Sequence, residues 1–450
     1  LSEHCNDVLT IASIIGRQFT LEQLRVTVED TTENQLLDVI DEGLASRNIE
    51  ELPGAVGEYQ FTHALIQETL ASELSTTRRV RLHARIGEAF ETLYSDRIED
   101  FAEQLAIHFA EAETVVGSEK VFTYSRLAGD MAIASLGYEE ALVHYERALG
   151  ARPDDELDDE AAQVLLSMGR AQSVVGRIEE AVKTLHKATS YFLDHDDIES
   201  ASRALEDVHN VALAAPLGEF YPRVIERTPA NSARAADLYS SYGLALAATS
   251  PDFELARQPL DEAFRIGTQL EDGRIIARSL ANLANLEAFH TKWEDAFTHA
   301  TQALDTPGID EISTAATRAS LWAGLAAGVL GHPDLALEHA ARCLDAAEKR
   351  RDKTWTVLAS ACEVYAHVAM GNWEQAHTAN QRPIAIAEST QDSTSSVHAI
   401  GAFIKLLVED ADVAREALSE VPLISMTGVV LAAPGFALLS AYHGLDADFE

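Results

Sequence analysis

Basic residues are scarce in this 450-residue chain: 34 Lys and Arg stand against 73 Asp and Glu, for a formal net charge of −39. A surface this negative repels phosphate backbones, which excludes broad non-specific nucleic-acid binding and leaves room only for a local basic patch. Cysteine is scarcer still. Cys5, Cys343 and Cys362 are too few and too scattered for a disulfide framework or a zinc knuckle, and they suit a reducing, cytoplasmic setting. No run of about 18 apolar residues occurs, so no segment reads as a membrane span. The chain opens Leu1-Ser2-Glu3-His4, without the basic stretch of a signal peptide. It also opens without Met, which leads to the expectation that it is a piece of a longer product. Hydrophobic residues nevertheless make up 47%, too many for disorder. The length suffices for about two to four domains with sizeable cores.

What is present in quantity is repetition. Gly137-Tyr138-Glu139-Glu140-Ala141 runs on to Tyr145, Ala148-Leu149 and Pro153. A similar phrase returns at Gly176-Arg177-Ile178-Glu179-Glu180-Ala181 with Leu185 and Ala188. It recurs around Ala256/Leu260/Ala263, Trp293/Ala296/Ala300/Ala303, Ala336/Ala340/Cys343 and Trp373/Ala376. The small anchors at 141, 181, 256, 296, 336 and 376 are separated by 40, 75, 40, 40 and 40 residues. The long gap holds a degenerate unit near Gly218-Glu219-Phe220-Tyr221, and a weak one centres on Ala414, for about eight units in all. Within a unit, Ala141, Tyr145 and Ala148 fall at i, i+4 and i+7, one face of a helix. The small residue lets paired helices approach, and the larger one fills the space beside it. Stacked pairs of this kind build an α-solenoid with a concave, partner-binding side.

Residues 1–95 break that period. Asn6–Ile15, Leu21–Val28 and Thr31–Ala45 read as helices, the third opened by Thr and acidic residues. Asn48-Ile49-Glu50, a Pro53-Gly54 turn and Tyr59-Gln60-Phe61 then read as a two-stranded wing, and helices resume at His63–Leu74 and Arg79–Leu93. The expected fold is therefore all-α with a small β wing: a winged helix over 1–75, a helical linker over 76–117, repeats over 118–420 and a helical extension over 421–450.

The repeat phrases resemble the tetratricopeptide repeat, although the period of about 40 exceeds the usual 34 or so and predicts longer helices or loops. Four further phrases sharpen the resemblance: Ile11-Ala12-Ser13-Ile14-Ile15-Gly16-Arg17-Gln18-Phe19, Tyr59-Gln60-Phe61-Thr62-His63-Ala64-Leu65-Ile66-Gln67-Glu68, Arg78-Arg79-Val80-Arg81-Leu82-His83, and Leu105-Ala106-Ile107-His108-Phe109. In content and order they resemble the region that follows the ATPase core in large bacterial signal-transduction ATPases. These include LuxR-type and maltose-activator-like transcriptional regulators and cyclase-linked ATPases. The resemblance implies an ATPase core upstream of Leu1, binding ATP and Mg²⁺. This chain contains no G-x-x-x-x-G-K-S/T phosphate cradle and no nucleophile elbow. The expectation is a chain without catalytic residues, cofactor or metal of its own. It would be a sensor region that binds a protein or small ligand and controls that ATPase, most like a LuxR-type regulator. A cyclase-linked regulator and a stand-alone repeat scaffold are the alternatives.

Candidate residues fall into two groups. Arg78, Arg79, Arg81 and Arg85 oppose only Glu88 between 76 and 88, a local charge of +3. They follow the wing instead of occupying a groove-reading helix, so they are expected to dock on another domain, the acidic repeats or the chain's own ATPase, and not on nucleic acid, with a plain solvated face as the competing reading. Aligning the anchors places Arg170, Tyr242, Arg278, Asn282, Asn285, Arg318, Trp322 and Tyr365 along the concave groove. Arg forks onto carboxylates, Asn bonds peptide amides, and rings supply area at little entropic cost. Inter-repeat packing is the competing reading for each.

Other clusters favour plainer accounts. His63, His83 and His108 lie on separate helices without metal-ligand spacing and read as capping or bridging groups. The acidic run from Asp154 to Glu160 lacks the glycine of a calcium loop and reads as a solvated loop feeding a helix N-terminus. Cys343 and Cys362 read as buried packing. Homo-oligomerisation is left open by the surface pattern.

Overall fold

The computed structural model describes residues 1–28, 31–153, 157–206, 208 and 211–390. The chain forms two compact units, the first ending at Leu157 and the second beginning at Asp158.

The first unit opens with α1 (Glu3–Ile15), β1 (Gln18–Thr20), α2 (Leu21–Thr27), α3 (Glu33–Ala45), β2 (Ile49–Glu51) and β3 (Glu58–Phe61). Thr20 and Thr32 begin α2 and α3 through capping boxes with Gln23 and Gln35, so each helix start satisfies its first amides locally. The sheet is antiparallel in the order β1-β3-β2, with Ile49 opposite Phe61 and Phe19 opposite Tyr59. The order is helix, strand, two helices and an antiparallel hairpin. The third strand, β1, is an addition to the two the sequence announces. Leu9, Ala12, Leu24, Leu36, Ile49 and Phe61 are buried beneath the sheet and helices.

The unit continues through α4 (Ala64–Ser72), α5 (Thr76–Leu93), a 3₁₀ turn at Ile98–Phe101, α6 (Ala102–Glu111), α7 (Glu113–Val116), α8 (Ser118–Ala134) and α9 (Tyr138–Gly150). Here the repeat logic begins. A glycine in one helix lies under a large side chain of the next: Gly87 under Phe109, Gly129 under Tyr145.

The second unit stacks helical pairs. It begins with α10 (Asp159–Val174) and α11 (Ile178–Asp194), then a shortened unit of α12 (Ile198–Glu206), α13 (Val211–Ala214) and α14 (Phe220–Ile225). Regular pairs follow: α15 (Ala233–Thr249) with α16 (Phe253–Gln269), α17 (Gly273–Phe289) with α18 (Trp293–Leu304), α19 (Thr314–Val329) with α20 (Pro333–Lys349), and α21 (Lys353–Ala369) with α22 (Trp373–Thr390). The predicted anchors Ala181, Ala256, Ala296, Ala336 and Ala376 are each at most 1% exposed. The long period resolves into long helices, with α15, α16, α17, α20 and α21 at 17 residues each. Asp158, within the acidic run, caps α10 by accepting from the Ala161 amide at 2.8 Å. The unit expected around Ala414 and the extension over 421–450 lie outside the described residues.

Two features define an inner row. The first helices α15, α17, α19 and α21 pack on one another in succession, and α10 packs on α21. Thr354, in the first turn of α21, donates its hydroxyl to the Ser173 carbonyl of α10 at 3.0 Å. Moreover α17 and α19 are buried on every face, whereas α16, α18 and α20 bury one stripe. Among the described residues, no helix is long and apolar enough to cross a membrane.

Candidate ligand-binding face

Seen from the inner row, four of the eight predicted groove residues bond to one another across helix boundaries, and Arg278 bonds to groups of the preceding helices. Asp237, on α15, receives a two-pronged bond from Arg274, Nη1 to Oδ1 and Nη2 to Oδ2, both at 3.0 Å. Arg278, one turn on along α17, donates to the same Oδ1 at 3.2 Å, to Ser241 Oγ at 2.6 Å and to the Glu206 carbonyl. Asn282 donates its amide to the Ser240 carbonyl at 3.1 Å and the Ser240 hydroxyl at 2.9 Å. Its carbonyl oxygen accepts from Arg318 of α19. Trp322 donates its indole N–H to Asn285 Oδ1 at 3.1 Å and meets Phe289 edge-on at 5.5 Å. The Arg318 guanidinium lies over the Trp355 ring of α21, 5.6 Å from its centroid.

The i, i+4, i+7 spacing of 278, 282 and 285 does place these three on one face, as predicted. That face meets the neighbouring inner helices: Arg278 is 8% exposed, Asn282 1%, Asn285 2%, Arg318 4% and Trp322 2%. These five are the polar floor of the row, bridging pairs that repeat about once per period. The other three predicted residues are half-buried. Tyr242 stacks on Tyr221 at 5.7 Å. Arg170 donates to the Arg203 carbonyl at 2.6 Å. Burial raises the Tyr365 hydroxyl above its ordinary value.

Sequence reasoning missed Asp237, Ser240, Ser241, Arg274 and Trp355. A period of 40 before Arg278 lands on 238, one residue from the acid that Arg278 binds, so phase alone does not find it.

The floor is electrostatically uneven. Burial, and then the positive field of Arg278, push the Arg318 guanidinium down to about 9, so it stays charged at neutral pH but at a cost. The Asn285 Nδ2 group is buried with no acceptor, an exception to the rule that buried polar groups are paired.

The first unit holds the other predicted group. On α5, Arg78, Arg79 and Arg81 are exposed and Arg85 is half-buried. His83 and His108 bridge α5 and α6 through their Nδ1 atoms, 3.0 Å apart. Burial, and then the His83 ring, push His108 down to about 3, opposed by a hydrogen bond to the Ile15 carbonyl. His63 is exposed ahead of α4 and makes no side-chain cap. Glu103, Glu140 and buried His144 bring two carboxylates and a ring within 4.8 Å of one another, a grouping the sequence spacing did not suggest. Arg147 Nη1 stands 3.3 Å from the His144 ring nitrogen, so the local partner of this group is a cation. Cys343 and Cys362 are buried thiols, and burial raises both.

No family model and no curated protein matches the chain. Among solved structures, a signal-transduction ATPase with numerous domains and a tetratricopeptide repeat sensor, from Pyrococcus horikoshii, aligns over 100% of this chain at 16% identity and a TM-score of 0.41. This chain spans 66% of that protein's length. A Rap conjugation gene regulator solved with a Phr peptide aligns over 85% of this chain and 96% of its own, at 11% identity and a TM-score of 0.44. Aspartyl phosphate phosphatase F from Bacillus subtilis aligns over 99% and 95%, at 13% identity and a TM-score of 0.38. Likeness at this level leaves function to the chain's own residues.

Proposed function

We propose that this chain is a binding and sensing region, not a catalyst, and that its ligand, a protein segment or a small molecule, is taken up along the inner row of the second unit. The observation that carries the reading is the polar ladder from Asp237 through Arg278 and Asn282 to Arg318. It ties consecutive helical pairs together by directional bonds, so a ligand that shifts one pair biases the next. Binding energy is thereby converted into a change of arrangement, the linkage a sensor requires. The finer reading rests on the quoted sequence phrases: control of an ATPase outside this chain, in a LuxR-type transcriptional regulator, with the α5 arginines docking on that partner domain. The chain itself would hold no cofactor.

Selection of a displayed random-peptide library on the purified chain tests the inner row. Selected peptides are expected to lose binding at least tenfold with Arg170→Glu or Tyr242→Ala, two half-buried inner-row changes. They should keep it with Lys183→Ala on α11. Peptides that ignore the inner-row changes and respond to the α11 change would move the binding face to the outer helices and sink the reading.

A further inference from the structure

We infer that Glu103, Glu140 and His144 of the first unit hold a divalent cation of the zinc kind, which fastens α6 to α9. The site lies apart from the inner row and does not depend on it. Glu140 and His144 stand at i and i+4 on α9, one turn apart on one face. Glu103 reaches them from the first turn of α6. Two carboxylate oxygens and an imidazole nitrogen, one atom from each side chain, fall within 4.8 Å of one another. Bonds of about 2.1 Å around tetrahedral zinc place neighbouring ligand atoms roughly 3.4 Å apart. Both glutamates are exposed, so rotamer changes suffice to close that difference, and a fourth position is left for water.

Two independent observations call for a cation there. Two carboxylates share this small volume, and among the described residues neither forms an ion pair. Like charges so close repel, and a divalent ion between them reverses the sign. The second observation is the His144 ring, which is 5% exposed and already carries a cation: Arg147 Nη1 stands 3.3 Å from its Nδ1. A guanidinium only donates, so Nδ1 offers a lone pair and Nε2 holds the ring proton. No described residue accepts that proton.

Binding is therefore an exchange of cations. A metal on Nδ1 takes the place of Arg147. A metal on Nε2 moves the ring proton to Nδ1, where it faces the guanidinium donor to donor. In both cases Arg147, half-buried in the last turn of α9, is released. One imidazole with two carboxylates suits zinc, whereas magnesium and calcium favour oxygen alone. Both α6 and α9 pack on α8, so an ion joining them clamps three helices where the first repeat begins.

The test titrates the full chain, stripped with a chelator, with zinc chloride by calorimetry at neutral pH, and follows unfolding with and without zinc. All four tryptophans belong to the second unit, so dichroism and tryptophan emission together locate the ion. The expected result is a single saturable site that raises the dichroism midpoint and leaves the tryptophan midpoint in place. Glu103→Gln and His144→Gln should each weaken binding about tenfold or more. The exposed Glu103 keeps the test open if the His144 variant fails to fold. Arg147→Met removes the competing cation and should tighten binding, and magnesium should give no response. Absence of zinc binding, unchanged affinity in the folded Glu103→Gln and Arg147→Met variants, an equal response to magnesium, or a shift of the tryptophan midpoint alone overturns the inference. None of these results bears on the inner row, whose test is peptide binding.

Discussion

At the scale of single residues, Asp237 shows how much depends on one carboxylate. It accepts from Arg274 and from Arg278, and its side chain is 10% exposed, as is that of Arg278, while Arg274 is 55% exposed. Removing the acid strands a buried guanidinium, whereas removing Arg274 breaks a largely solvated pair. Asp237→Ala is therefore expected to cost about 3–5 kcal/mol, as for other broken buried pairs. Arg274→Ala should cost about 0–1 kcal/mol, in the range of surface pairs. Urea unfolding of both variants decides it, and equal losses would contradict the assignment of Arg278 as the buried partner.

At the scale of elements, hairpin geometry rests on close approaches and on the turns between helices. A Cβ at Gly243 of α15 would come within 2.5 Å of Leu260 Cγ and 3.1 Å of the Ala256 carbonyl oxygen on α16. Gly243→Ala gains about 1 kcal/mol of helix propensity, but overpacking of about 1–3 kcal/mol opposes it. The clash should win, because the backbone carbonyl cannot rotate away, and the thermal midpoint should fall. The turn between α17 and α18 works in the opposite sense. Thr291 holds φ at 57°, a left-handed value that costs a β-branched residue about 1–2 kcal/mol. Thr291 is exposed and its amide bond to the Ala288 carbonyl survives substitution. Thr291→Gly is accordingly expected to raise the thermal midpoint; a lower one would show that the hydroxyl, not the backbone, matters there.

At the scale of the whole molecule, one histidine in each unit is shifted in the opposite direction to the other. His108 is held neutral in the first unit, down to about 3 against an unfolded value near 6.5. Its contribution is intact above about pH 6.5 and is lost as pH falls below it, by about 1.4 kcal/mol per pH unit. His299, in the second unit, is raised, first by its 2.8 Å bond to buried Glu287. Its contribution is full below about pH 6.5 and is lost as pH rises through the folded value. All four tryptophans, at 293, 322, 355 and 373, belong to the second unit, so their emission reports it selectively while far-ultraviolet dichroism reports both. Between pH 8 and 6 the tryptophan midpoint should rise, and His299→Gln should flatten that rise. Between pH 7 and 5 the dichroism should show a transition moving down, and His108→Gln should flatten that fall. Unchanged slopes in either variant would remove that histidine from the account.

The sequence by itself determined the helical class, the period of 40, the small anchors and the wing turn. Each of these is a local matter: side-chain periodicity, close-packing size and turn chemistry are written into neighbouring residues. It also placed Arg278, Asn282 and Asn285 on one face. Only the tertiary structure decided what that face looks at. A polar residue on an inner helix faces solvent or a neighbouring helix according to how tightly successive pairs wind, and that winding is the sum of many small inter-helix rotations. Here α21 meets α10, and five of the residues expected to line a groove are buried against the neighbouring inner helices. The acid Asp237 and the ring of Trp355 escaped the sequence for the same reason, since a partner 37 or more residues away and out of phase becomes a neighbour only once the stack is built.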